Sequence, residues 1–471
     1  MLRLPDTWLL KMFHLVTTVL FFSLLLGCTK NLVDQQSADS IDVQKSKHVL
    51  VNGPMVGYST MKEVAVWLQG EPLSTYRLYY QDEAGNQFES ESITLGHSKD
   101  NTAVLSADKV QPGKLYTYEV KHIDSWSGHS ANQSYQTVVG SGSFQSQPLW
   151  QWRTDPPEFS FAFGSCNYIN EEETDRPGTP YGGEYQIFET IYEQNPDFMI
   201  WGGDNTYLRE ADWNSMTGIW HRYTHSRAVP EMKSLLANVH HYAIWDDHDY
   251  GPNDSDRSFY LKDSTLKTFS KFWANPGYGI NGKPGITTRF QWNDCEFFLL
   301  DNRYYRTPNN RKTGDRYILG EEQFTWLIDN LSSSLASFKF VVIGNQVVSS
   351  AAVYENHATF ANERIQLLKA IQQEGIKNVV FLSGDRHHSE LSVLKEEGKP
   401  TIYDITSSPL TAGTHDARDE GNVYQVEGSY IHDRNFANIE ISGEWGNRTL
   451  HLAYLNTNGE ELFQYKINQQ N

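Results

Sequence analysis

Cysteine is scarce: Cys28, Cys166 and Cys295 are the only three in 471 residues. A disulfide-stapled scaffold is therefore excluded, and the chain must hold itself together by a buried apolar core. Its length suits two or three domains. Positive charge is scarce too. Lys and Arg number 39 against 58 Asp and Glu, a formal net charge of −19. That excludes a basic face for nucleic acid or for an anionic membrane. Binding an anion would need local positive charge, from Arg side chains or from bound cations. No apolar run reaches the roughly 20 residues of a membrane span, and the mostly apolar stretch 12–26 stops short of it. Repeats are missing, as is any low-complexity tract beyond the polar stretch 28–48. Aromatic residues are abundant at 13%, with 26 Tyr and 13 Trp, as suits a β-rich protein outside the cytoplasm.

Arg3 and Lys11 precede or open the apolar stretch, which ends Leu25-Leu26-Gly27-Cys28. This resembles the bacterial lipoprotein signal. The resemblance implies that residues 1–27 are removed, that Cys28 carries lipid, and that 28–48 is a flexible tether. A periplasmic or cell-surface, membrane-anchored protein is expected, and a monomer.

Residues 49–148 are expected to form a small immunoglobulin- or fibronectin-like all-β domain. The segments 64–68 and 76–80 have strand composition between Gly and Pro breaks. The stretch 110–120 (Val-Gln-Pro-Gly-Lys-Leu-Tyr-Thr-Tyr-Glu-Val) resembles a tyrosine corner, in which a hydroxyl bonds back to the backbone before its strand. In 149–471, strands alternate with helix-like stretches at 184–195, 261–273, 320–334 and 362–375. That alternation indicates an α/β domain. The tail reads as strands again at 437–441, 449–454 and 462–467.

Four segments carry the chemistry: Gly164-Ser165-Cys166-Asn167, Gly202-Gly203-Asp204-Asn205-Thr206-Tyr207, Trp245-Asp246-Asp247-His248-Asp249, and Ser383-Gly384-Asp385-Arg386-His387-His388. Each follows a short apolar run, at 159–163, 198–201, 239–244 and 379–382, which reads as a buried strand. Residues at the carboxyl ends of such strands converge on one face of a sheet. Together they offer Cys, Tyr, His and several Asp, the donors of a two-metal site.

In this order the four segments resemble the alkaline phosphatase D family, a branch of the calcineurin-like metallophosphoesterases. The most specific part is the run 245–254, where acids and His are densely packed. The resemblance implies two packed β-sheets flanked by helices, with metals at one edge and phosphate esters, monoesters or diesters, as small-molecule substrates. It implies Asp204 as a bridging carboxylate, with Cys166, Tyr207 and His387 completing one metal shell and Asp247 and Asp385 building the other. Asp246, Asp249, Asn345, Gln346 and His388 are further candidates, for the shells or just outside them. Thiolate and phenolate favour Fe³⁺, and an oxygen-only shell suits Ca²⁺; Zn²⁺ or Mn²⁺ is the alternative pair. Cys166 is then a metal ligand and Cys295 a buried, inert thiol, although a disulfide between them stays open. By the same resemblance His248 stabilises the transition state or protonates the leaving alkoxide. Asn167 either donates to a phosphate oxygen or shapes a turn. Asp301-Asn302-Arg303-Tyr304-Tyr305-Arg306 resembles an Asp-x-Arg-x-x-Arg element. Its Arg303 is expected to contact substrate; Arg306 either joins it or pairs with a carboxylate such as Asp315.

Phosphate scavenging outside the cytoplasm is the leading function. A phospholipid or sugar-phosphate diesterase on the same scaffold stays open, and so does a non-catalytic, calcium-containing glycan-binding lipoprotein. Some relatives close the site with a basic C-terminal helix, whereas the strand-like tail here suggests a more open pocket.

Overall fold

The computed structural model describes residues 49–97, 100–125 and 134–470. The signal, tether and Cys28 lie outside the described residues. The described residues belong to one compact unit. It opens with β1 (Asn52–Ser59), β2 (Val64–Gln69), β3 (Thr75–Asp82), β4 (Gln87–Glu89), β5 (Ile93–Thr94), β6 (Thr102–Ala107), β7 (Leu115–Ser125) and β8 (Ser134–Gln145). They form one sheet ordered β1-β2-β6 and a second ordered β4-β3-β7-β8, with β5 on β3. Alternating apolar residues such as Val64, Val66, Leu78, Tyr116 and Val120 fill the space between the sheets. The tyrosine corner is there: the Gln111 N–H donates to the Tyr116 hydroxyl at 2.8 Å.

The rest of the chain runs β9 (Phe159–Gly164), α1 (Ile187–Glu193), β10 (Phe198–Gly202), α2 (Met216–His225), α3 (Lys233–Asn238), β11 (His240–Ile244), α4 (Asp247–Tyr250) and α5 (Lys262–Phe272). It continues through β12 (Thr288–Trp292), β13 (Cys295–Leu299), α6 (Glu321–Ser333), β14 (Lys339–Val342), α7 (Ala361–Gln373), β15 (Val379–Ser383), β16 (Glu390–Leu394) and β17 (Ile402–Thr406). The last strands are β18 (Asn435–Ser442), β19 (Thr449–Asn456) and β20 (Glu461–Asn468).

Two six-stranded sheets result, ordered β11-β10-β9-β18-β19-β20 and β12-β13-β14-β15-β17-β16. β9, β10 and β11 are parallel, as are β13, β14, β15 and β17. The tail strands β18, β19 and β20 extend the first sheet antiparallel from β9. Strand periodicity sorts the side chains. Phe297, Phe340 and Val380 point between the sheets, where Phe297 and Phe340 meet Phe161 edge-on at 5.4 and 5.3 Å. Their neighbours Phe298, Val341 and Phe381 point the other way, under Leu327 and Leu331 of α6 and Leu367 of α7. The second sheet is thus buried on both faces, which is why its strands read as unbroken apolar runs.

The β region is seated on β11. Met55, Ala65 and Trp67 belong to the same apolar cluster as Tyr242. The indole of Trp67 donates to the Lys271 carbonyl at 2.7 Å, and the Tyr118 hydroxyl to that of Ala237 at 2.9 Å. His240 bridges the seam, bonding the Gly57 carbonyl through Nδ1 and taking the Gln145 N–H on Nε2, at 2.8 and 3.2 Å. Among the described residues no helix is long and apolar enough to cross a membrane.

Candidate metal centre

The carboxyl ends of β9, β10 and β11 and of β13, β14 and β15 open on the same edge. β9 delivers Cys166, β10 delivers Asp204 and Tyr207, β11 delivers Asp246 to Asp249, and β15 delivers Asp385 and His387. Close approach of these ends needs a missing side chain. A Cβ on Gly344, just past β14, would lie 2.2 Å from Asp246 Oδ2. Cys166, Asp204, Asp385 and His387 all have left-handed backbone, with φ of 59°, 52°, 68° and 55°. Non-glycine residues adopt it at a cost of roughly 1–2 kcal/mol each, and such strain gathers where function demands a geometry.

Ligand atoms of Cys166, Asp204 and His387 lie within 4.8 Å of one another. So do those of Asp246, Asp247 and Asp385, while Asp204, Asp247 and His248 form a third set that links the two. Cys166 Sγ is 3.8 Å from Asp204 Oδ2, and Oδ1 of the same carboxylate takes the His248 N–H at 3.2 Å. His387 contacts the Gly413 carbonyl through Nδ1 at 2.5 Å; its Nε2 faces the Tyr207 hydroxyl at 3.1 Å. A proton held on Nδ1 leaves Nε2 bare, the tautomer a metal ligand needs. The ring of Tyr207 stacks on His248 at 4.2 Å.

Electrostatics point the same way. Burial first, then Asp247 and Cys166, pushes Asp204 well above the carboxylate range. Burial, then Asp246, Asp247 and Glu355, raises Asp385 to about 8. Burial raises the Cys166 thiol to about 12 and Tyr207 well above the phenol range. Asp246 Oδ2 is buried with no hydrogen-bond partner. Asp204 and Asp385, held this way, favour the protonated form unless a cation joins them, whereas Asp247, although buried, is held down to about 2 by His248 and Arg303. The donor set therefore fits metal ions, with sulfur, phenol and imidazole on one side and oxygen alone on the other.

Other expected residues sit differently. Arg303 is fully buried and turned into carboxylates rather than toward a substrate. Its guanidinium pairs with Asp246, with Asp247 at 3.5 Å and with Glu355 at 2.5 Å. Arg306, also fully buried, pairs with Glu355 at 2.8 Å, not with Asp315. Asn167 serves the turn: Nδ2 donates to the Asn205 carbonyl and Oδ1 accepts from Thr411, both at 3.2 Å. The Gln346 side chain is hydrogen-bonded to Glu390, Thr406 and Asn356. Asn345 is buried at the site with Nδ2 unpartnered. His388 turns from the site to the Arg386 carbonyl at 3.0 Å. Asp246 and Asp249 form a capping box on α4: Asp249 Oδ2 takes the N–H groups of Asp246 and Asn205. Cys295 is free and buried at the opposite, amino-terminal end of its strand, which rules out a bond to Cys166. Glu355 was not legible beforehand, because no local pattern marks an acid in the loop after β14.

Comparisons with known proteins agree with this geometry. Over 373 residues the chain is 22% identical to alkaline phosphatase D of Bacillus subtilis (strain 168), covering 68% of this chain. The chain spans about 60% of the length of that curated relative. A solved structure of PhoD superposes with a TM-score of 0.68 at 16% identity, covering 90% of this chain and 93% of that one. Purple acid phosphatase PPD1 from yellow lupin (Lupinus luteus) seeds follows with a TM-score of 0.65 at 11% identity, covering 89% and 75%. At such identities the two likenesses speak for the fold alone. The profile of the PhoD-like phosphatases matches residues 161–446, from β9 through β18, and the chain belongs to that family.

Proposed function

We propose that this protein hydrolyses phosphate esters outside the cytoplasm with two bound metal ions, releasing phosphate for uptake. The observation that carries this reading is the chain of donor sets joined through Asp204 and Asp247. Cys166, Asp204, Tyr207 and His387 would hold the site with thiolate and phenolate donors, anions that suit a strongly Lewis-acidic ion such as Fe³⁺. Asp246, Asp247 and Asp385, with Asn345 beside them, would hold a hard ion such as Ca²⁺. When bound, the pair supplies Lewis acidity: it lowers the pKa of water and offsets the charge of the phosphoryl group.

The chain's own residues do the rest. Asp204 keeps Oδ2 beside Cys166 Sγ and takes the His248 backbone N–H on Oδ1, which would hold the carboxylate between the two donor sets. The Gly413 carbonyl fixes the His387 tautomer. Arg303 acts at a distance, holding Asp246 and Asp247 in place. His248 keeps its side chain partly open to solvent and lies 3.9 Å from Asp247 Oδ2. Burial lowers its pKa while Asp247 opposes the shift, and in this reading the partly exposed imidazole hydrogen-bonds the phosphoryl or leaving oxygen. Anchoring through lipid on Cys28 would keep this chemistry at a membrane surface in the periplasm or outside the cell.

The test is turnover of bis(p-nitrophenyl) phosphate and p-nitrophenyl phosphate by the full chain and by Asp204→Ala. We expect turnover of at least one ester, and a loss on the order of a thousandfold or more in the variant, since both cations lose a ligand. Metal-loaded protein that hydrolyses no member of a broad ester panel would refute the reading.

A further inference from the structure

Asp385 and His387 are partly open to solvent on either side of the buried Arg386, and one exposed tyrosine lies against His387 and another against Arg386. Tyr181 is 46% exposed. Its hydroxyl is 3.1 Å from His387 Nδ1, and its ring centre is 6.0 Å from the imidazole. Tyr354 is 66% exposed. Its ring lies 4.8 Å from the Arg386 guanidinium and meets the His415 ring edge-on at 5.2 Å. Arg386 is in turn held by both oxygens of Glu420, at 2.8 and 2.7 Å, and lies 3.9 Å from Asp385.

The Tyr354 ring does not sit where packing alone would keep a tyrosine. Tyr354 has left-handed backbone, φ 46°, an unfavourable setting for a bulky residue, and it hides little apolar surface in return. Tyr181 packs close to Gly413, where a Cβ would lie 2.8 Å from its Cε2, and meets the Tyr168 ring edge-on at 4.9 Å. Rigid, exposed aromatic rings at the mouth of a polar site give binding area at little entropic cost.

We propose that Tyr354 forms a leaving-group subsite for esters whose alcohol carries a flat, electron-rich ring, a nucleobase or an aryl group. The buried guanidinium beneath Tyr354 draws electron density from the ring. Its outer face then favours an electron-rich π-system over the C–H groups of a saturated ring. Arg386 positions Tyr354 and does not touch the phosphate. This subsite rests on the phosphoesterase reading and narrows it to a substrate class.

The test uses three inert phosphonates titrated calorimetrically into the full chain as purified: methyl, cyclohexyl and phenyl. We expect phenylphosphonate to bind roughly three- to tenfold more tightly than cyclohexylphosphonate, the size of one aromatic stack. Tyr354→Ala should bring that ratio close to one with methylphosphonate still bound, and Tyr354→Phe should keep it. Equal affinities in the unaltered protein, or a uniform loss for all three ligands in Tyr354→Ala, would overturn the subsite and leave the phosphoesterase reading standing. Failure of every phosphonate to bind would bring down both.

Discussion

At the scale of single residues, the centre is a cluster of buried acids whose charges are arranged around two arginines. Glu355 holds both: Arg303 at 2.5 Å and Arg306 at 2.8 Å. Removing its charge leaves Arg306 without a carboxylate partner among the described residues and takes one of three carboxylates from Arg303, in the protein interior, which costs more than losing a surface pair. We expect Glu355→Gln to lower unfolding stability by roughly 3 kcal/mol, read by urea denaturation. An unchanged midpoint would show that the carboxylate is dispensable. Legibility followed locality here. Cys166, Asp204, Asp247, Asp385 and His387 were visible because each follows an apolar strand within a few residues. The pairing of Arg303 with Glu355 joins positions far apart in the chain, and no local pattern announces it. The capping role of Asp246 and Asp249 was written in the sequence as two acids three apart opening a helix, but the density of ligands around them obscured it.

At the scale of elements, the strands that carry the site were legible from apolar runs, and the helices at 187–193, 262–272, 321–333 and 361–373 fall within or beside the expected stretches. α2 was not foreseen. It buries Arg222 against Asp212 and Glu171, at 2.7 and 2.6 Å, so its inner face is partly charged and lacks the apolar stripe that periodicity detects. The seam along β11 makes its own prediction. Burial holds His240 neutral, lowering its pKa to about 4. The unfolded chain takes up a proton on this residue near pH 6.5, whereas the folded one resists until about 4. Stability should therefore be complete above pH 6.5 and fall as pH drops from there toward 4, by on the order of 3 kcal/mol at the low end. His240→Gln should flatten that slope in thermal melts taken across this range. An identical slope in the variant would show that the seam does not sense pH.

At the scale of the whole molecule, two structures that sequence reading treats as separate domains share one apolar cluster. Trp67 of β2 and Tyr242 of β11 lie in the same core, so the β region braces the strand that delivers Asp246 and Asp247. Sequence patterns reveal strands and turns but not which faces meet, and this docking could be seen only in three dimensions. The sheets in turn serve one end: the termini of β9, β10, β11 and β15 present acids, a thiol, a phenol and an imidazole at a single edge, in a chain with a formal net charge of −19. Such an edge is stable in its anionic form only with cations bound. Elemental analysis of protein purified without chelators, with its visible absorption spectrum, tests this most directly. The account predicts iron and calcium near stoichiometric amounts and a phenolate-to-iron absorption band that disappears in Tyr207→Phe. Folded protein without bound metal, and without that band, would contradict it.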